Sequence, residues 1–138
     1  MLIERLLILL IAILTGGALL GIWRMLLARR VQRLATVAMP EELVPLVPDG
    51  PALLYFTTED CVQCRLQQTP ILTQLSTVTH IAVHKFDAIE QKNLADFFGI
   101  MTVPTTIWLD KLHRPAAINH GLTGLAKLRQ QAQEVYEQ

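Results

Sequence analysis

YFTTEDCVQCR, residues 55–65, holds both cysteines of a 138-residue chain in one tetrapeptide, Cys61-Val62-Gln63-Cys64. A short apolar run, Ala52–Thr57, ends just before it, and a helical pattern begins at it. That placement suits thiol chemistry. The thiolate is the reactive species, and a helix N-terminus favours negative charge. Two intervening residues let the second thiol reach the first across one helical turn. A mixed disulfide formed at Cys61 can then be resolved by Cys64. Half of a zinc site has the same spacing, but zinc normally takes four ligands. No further cysteine exists, and His80, His84, His113 and His120 show no matching paired spacing. His80 and His84 flank or occupy a predicted strand, on one face of it, where a surface role fits better than ligation.

Outward from the cysteines the pattern alternates. Ala52–Thr57 suits a buried strand, and Cys61–Ser76 reads as a helix with Leu66, Ile71, Leu72 and Leu75 as its apolar positions. Ile81–Phe86 is a second strand. Gln91–Phe98 is a short helix that Gly99 stops. Thr105–Leu109 is a third strand, and Ala116–His120 a fourth, joined through the polar turn Asp110–Pro115. Thr123–Tyr136 is a last helix, with Thr123 as its N-cap and Leu125, Leu128, Ala132 and Val135 at helical spacing. The order β-α-β-α-β-β-α implies an α/β fold, with a parallel strand pair, covering helices and a final antiparallel hairpin.

A second segment sharpens the reading. Phe98-Gly-Ile-Met-Thr-Val-Pro-Thr-Thr-Ile-Trp-Leu109 places Pro104 at the head of an apolar strand, downstream of CxxC. With YFTTEDCVQCR and the strand HKFDA, it resembles the thioredoxin superfamily over roughly residues 51–138. The resemblance implies a thioredoxin fold, shortened because little room precedes Pro51 for a first strand and helix. It makes Cys61 the exposed nucleophile and Cys64 the buried resolving thiol. Arg65 matches a basic residue that often follows the motif. Pro104 matches the cis-proline that packs against the cysteines, a bond geometry that proline makes attainable. Val103 would offer backbone hydrogen bonds to an extended substrate, with Met101 and Thr102 lining the same groove. Gly99 and Ile100 read as structural.

The chain also departs from that family. Asp60, preceded by Glu59, replaces the tryptophan before the first cysteine. Two carboxylates there oppose ionisation of the thiol. Val62-Gln63 adds no cation. Tyr55 falls where thioredoxins have a buried aspartate, while Lys85 matches that aspartate's lysine neighbour. Water, Lys85 or Glu59 is left to move the proton. Pro70 lies one position later than the usual helix-kinking proline.

The N-terminal part is different. Leu6–Trp23 is 18 residues without a charge, a helix of roughly 27 Å, near the thickness of a bilayer core. Arg24 at its end can snorkel, and Trp23 sits where an interfacial aromatic is expected. A cleaved signal peptide is the alternative, with a weakly basic start and no A-x-A site before the arginine cluster. The uncleaved anchor fits better. Gly17-x-x-x-Gly21 offers a small-residue face for a weak homodimer. Leu34–Gly50, with Pro40, Pro45, Pro48 and Asp49–Gly50, reads as a linker. The divisions are therefore an anchor with basic flank (1–33), a linker (34–50) and a thioredoxin-like domain (51–138).

Twelve basic and twelve acidic side chains give zero net charge. Low charge with 51% hydrophobic residues excludes disorder. Two cysteines exclude a disulfide-dense scaffold, and the charge balance argues against nucleic acid as partner. The zero hides an asymmetry: residues 1–33 carry five arginines against Glu4, while residues 34–138 are net acidic. Four arginines follow the apolar run, so the positive-inside rule places the domain on the cytoplasmic side, with the extracytoplasmic side as alternative. The expected function is a membrane-tethered thiol–disulfide oxidoreductase. It would act on disulfide- or dithiol-containing proteins, with an external redox partner, no cofactor and no metal. The alternative is a non-catalytic binding, assembly or metal-delivery module.

Overall fold

A computed structural model describes residues 2–137, with the side chains of all of these except 2 and 30–36. The chain divides into two compact units, Met1–Arg33 and Leu34–Gln138. The first is built on helix α1, Leu2–Thr36, about 52 Å of backbone by its 35 residues. Its stretch Ile3–Arg29 contains an 18-residue window of mean hydropathy 2.5 and is long and apolar enough to cross a membrane. The Thr15 hydroxyl donates to the Ile11 carbonyl at 2.8 Å, so the polar group is satisfied by its own helix.

The second unit is a four-stranded sheet of order β2-β1-β3-β4. β1 is Ala52–Thr57, β2 Val83–Asp87, β3 Thr105–Leu109 and β4 Pro115–His120. β1 and β2 run parallel, as strands joined by a helical crossover do. β3 lies antiparallel to β1, with Tyr55 opposite Thr106. β3 and β4 form the antiparallel hairpin, with Ile107 opposite Ile118. Every residue of β1 and of β3 is buried, which suits the apolar stretches Ala52–Phe56 and Ile107–Leu109; the threonines Thr57, Thr105 and Thr106 are buried with them.

Strand alternation divides the core into two layers. Leu53, Tyr55 and Trp108 point to one side, where they pack with Leu72 and Leu75 of helix α2 (Thr69–Thr79) and with Leu128, Ala132 and Val135 of helix α4 (Leu125–Tyr136). Cys64 belongs to this layer. Leu54, Phe56, Ile107 and Leu109 point to the other, against Leu94, Ala95 and Phe98 of helix α3 (Lys92–Phe98). Gly99 ends α3 in the left-handed region, at φ 66°, a conformation that costs glycine little.

The second strand, expected at Ile81–Phe86, is Val83–Asp87, and four further details differ from the sequence reading. Residues inside the expected linker belong to the core: Leu43 and Val47 are buried in the α3 layer, with Met39 packed beside them and a 3-10 turn at Val44–Leu46. The helix expected at Cys61–Ser76 runs on to Thr79 and changes register near its start, through a π turn at Cys64–Gln68. Pro70 has no N–H for the Leu66 carbonyl, so an unbroken α ladder is not available there. α4 begins one residue later than expected: Gly124 is its N-cap, and the Thr123 hydroxyl turns back to the Gly121 carbonyl. His80 is not on the strand beside His84; it caps α2 in the left-handed region, at φ 56°.

Candidate functional site

β1 ends at Thr57, and the chain turns through Thr58–Asp60 to deliver Cys61 to the start of the helical segment. The Cys61 amide donates to the Thr58 carbonyl at 3.2 Å, and the Arg65 amide donates to the Cys61 carbonyl at 3.2 Å. Cys61 and Cys64 are joined as a disulfide, with Cα atoms 5.2 Å apart. The Cys64 amide also donates to the Cys61 sulfur at 3.1 Å. The helix start thus directs an N–H at the sulfur that would carry negative charge once reduced. The two sulfurs differ in access. Cys61 is half-buried at the edge of the α2–α4 layer, while Cys64 is 1% exposed within it.

Tyr55 lies beneath the cysteine turn and is 2% exposed. Its hydroxyl donates to the Cys64 carbonyl at 3.2 Å and lies 3.2 Å from the Thr69 hydroxyl. With its single proton on the carbonyl, Tyr55 leaves Thr69 as donor in the second contact. Lys85 pairs with Tyr55 across β1 and β2, and its side chain is exposed. A cleft of about 380 Å³ opens beside Cys61, lined by Glu59, Arg65, Thr69, Lys85, Asp87 and Glu90 among others. Glu59 and Lys85 therefore share a wall with the cysteine. Asp60 is exposed and not part of that wall.

The Val103–Pro104 peptide bond is cis. Pro104 is buried, Val103 is half-buried against both core layers, and Met101 is 85% exposed, with Thr102 exposed beside it. The Thr105 hydroxyl donates to the Thr102 carbonyl at 2.8 Å, bracing the turn. The Pro104 carbonyl accepts the Gly121 amide at 2.8 Å. Cys61 and Val103 both pack against the α2–α4 layer. Among the described residues, no three His, Cys, Asp or Glu side chains are gathered in a metal-binding arrangement.

One participant is silent in the motifs. Gln68, fully buried on the π turn, accepts the Thr123 amide at 2.8 Å and donates to the Thr123 carbonyl at 3.1 Å. Its partner lies 55 residues away in sequence. The only local signal is a glutamine at a position that the helical pattern turns inward, four residues after Cys64.

A sheet of this order, helices on both faces and a CxxC disulfide where β1 gives way to a helix define the thioredoxin fold. Solved structures agree. A point mutant of thioredoxin from Halobacterium salinarum is 24% identical with TM-score 0.57, covering 63% of this chain and 75% of that one. Thioredoxin-2, described as a component of malaria parasite protein secretion machinery, is 22% identical with TM-score 0.55, covering 64% and 85%. Thioredoxin 1 from Thermosipho africanus is 21% identical with TM-score 0.54, covering 62% and 94%. No protein-family model and no curated protein matches the chain.

Proposed function

We propose that the chain is a thiol–disulfide oxidoreductase tethered to a membrane by α1, acting on protein disulfides through Cys61 and Cys64. The observation that carries this is the asymmetric disulfide: one sulfur at the rim of the core and one inside it, at a helix start. In the reductive direction the Cys61 thiolate attacks a substrate disulfide. A mixed disulfide forms and one substrate thiolate leaves. The Cys64 thiolate then attacks the Cys61 sulfur, forms the Cys61–Cys64 disulfide and releases the second substrate thiolate. Two electrons pass to the substrate, and an external dithiol partner restores the pair. Val103, Pro104, Met101 and Thr102 are the proposed substrate groove, where an extended segment adds its backbone to Val103.

Cys64 lies in an apolar layer, where a thiolate is disfavoured and proton exchange with solvent must be assisted. Lys85, Glu59 or water in the Cys61 cleft would exchange that proton. Tyr55 would hold the turn. Four arginines after the apolar run support a cytoplasmic domain, where reduction is the natural direction. A C-terminal reporter fusion checks this: fluorescence without phosphatase activity is expected, and the reverse contradicts it.

Insulin reduction by the full chain in detergent tests the activity. Turnover by the wild type that Cys61→Ser abolishes is the expected result. Equal inactivity of both would favour a non-catalytic module built on the same fold, the reading that Tyr55 and Asp60 motivate.

A further inference from the structure

Gln68 costs the fold something unless it is used. A buried amide without partners is unfavourable, and a methionine would fill similar space without that penalty. Here both ends of the amide are engaged, and with one residue: the Thr123 N–H at 2.8 Å and the Thr123 carbonyl at 3.1 Å. Thr123 is itself buried. Its hydroxyl donates to the Gly121 carbonyl at 3.3 Å, and the Gly121 amide donates to the Pro104 carbonyl at 2.8 Å. At the other end, Gln68 closes the π turn that opens with Cys64. An unbroken run of hydrogen bonds and backbone therefore joins the cysteine turn to the cis-Pro104 loop.

We infer that Gln68 is a positioning residue, whose clamp on the Thr123 backbone sets the Val103–Pro104 edge at its working distance from Cys61. The inference rests on the redox reading of Cys61–Cys64. Loss of the clamp leaves two buried backbone groups of Thr123 without these partners. The loop Gly121–Gly124 then shifts to recover hydrogen bonds, and the Pro104 carbonyl shifts with it. Substrate docking at Val103 weakens. The sulfur chemistry, set by the local Cys61–Cys64 turn, changes little. The signature is a raised KM at nearly constant kcat.

Two variants of the full chain in detergent test this, with insulin as substrate. Gln68→Met keeps the length and removes both hydrogen bonds; KM is expected to rise roughly fivefold, the effect of about one lost hydrogen bond. Gln68→Glu adds a pH readout. As a carboxylate it can accept from the Thr123 N–H but cannot donate to the carbonyl. Burial raises the pKa of such a group. As pH falls, the protonated acid regains a donor and copies the amide. Its KM relative to wild type is therefore expected to return toward one as pH falls, while Gln68→Met stays flat. Gln68→Asn, too short to reach Thr123, replaces Gln68→Met if that variant does not fold.

KM values within twofold of wild type, with only a lowered unfolding temperature, would overturn the inference. So would identical pH profiles for Gln68→Glu and Gln68→Met. Amide hydrogen exchange separates this from the redox reading. If the wild type reduces no insulin, the oxidoreductase reading fails for that substrate, and exchange at Gly121 decides the clamp. Faster exchange at Gly121 in Gln68→Met supports it, and unchanged exchange overturns it.

Discussion

Tyr55 shows how one side chain can be both structural and informative. Its hydroxyl serves the Cys64 carbonyl, but that carbonyl also accepts the Thr69 amide. Tyr55→Phe therefore leaves that carbonyl one donor, while the half-buried Thr69 hydroxyl loses Tyr55 as its acceptor, and the change should cost about 0.5–1.5 kcal/mol. Denaturant unfolding of wild type and variant checks it; a loss of several kcal/mol would mean that the hydroxyl does more than hold the turn. Cys61, Cys64 and Pro104 were legible because each belongs to a short motif beside a strand. The disulfide between the cysteines has the spacing that the sequence offers. Gln68 was not legible, because its meaning depends on a backbone 55 residues away that no local pattern reports. Thr123 was misread for the same reason. Threonine at a helix start signals a cap, yet its amide is claimed by Gln68 and its hydroxyl by Gly121.

At the scale of elements, strands were easier to read than connections. β1 and β3 are buried on both sides; the apolar run Ala52–Phe56 marks the first, and Ile107–Leu109 behind Pro104 marks the second. The segment before β1 carried prolines and no period, and was expected to be a linker. Leu43 and Val47 instead cover part of the α3 layer. Leu43→Ala should destabilise the domain by about 2–3 kcal/mol, as for a buried leucine, while Leu46→Ala, at an exposed position, should change it by less than about 0.5 kcal/mol. Equal, small effects in thermal unfolding would contradict the packing. The turn of the β3–β4 hairpin depends on Asp110. Burial opposes its ionisation, but amides of Leu112 and Arg114 and the Arg114 guanidinium outweigh this and lower its pKa below 3.8. A carboxyl with a lowered folded pKa contributes stability above its unfolded value and loses it as pH falls through the folded one. Asp110→Asn should therefore cost about 1 kcal/mol at pH 7. The difference from wild type should shrink below pH 3.8 in pH-dependent unfolding; a constant difference would contradict the assignment.

At the scale of the molecule, the neutral chain is two units of opposite character. An apolar helix with arginines after it precedes a net acidic domain. Residues 34–138 should be soluble without detergent, whereas the full chain should stay in a membrane pellet under alkaline carbonate; release of the full chain would contradict the anchor. The domain's proposed work depends on Cys61 attacking first and Cys64 resolving. Trapping tests that order most directly. Full-length Cys64→Ser, reduced and then mixed with a disulfide-containing protein, should accumulate a mixed disulfide, and peptide mass spectrometry should locate it at Cys61. Full-length Cys61→Ser, whose remaining thiol is buried, should accumulate none. An adduct at Cys64 in Cys61→Ser, with none at Cys61 in Cys64→Ser, would contradict the account.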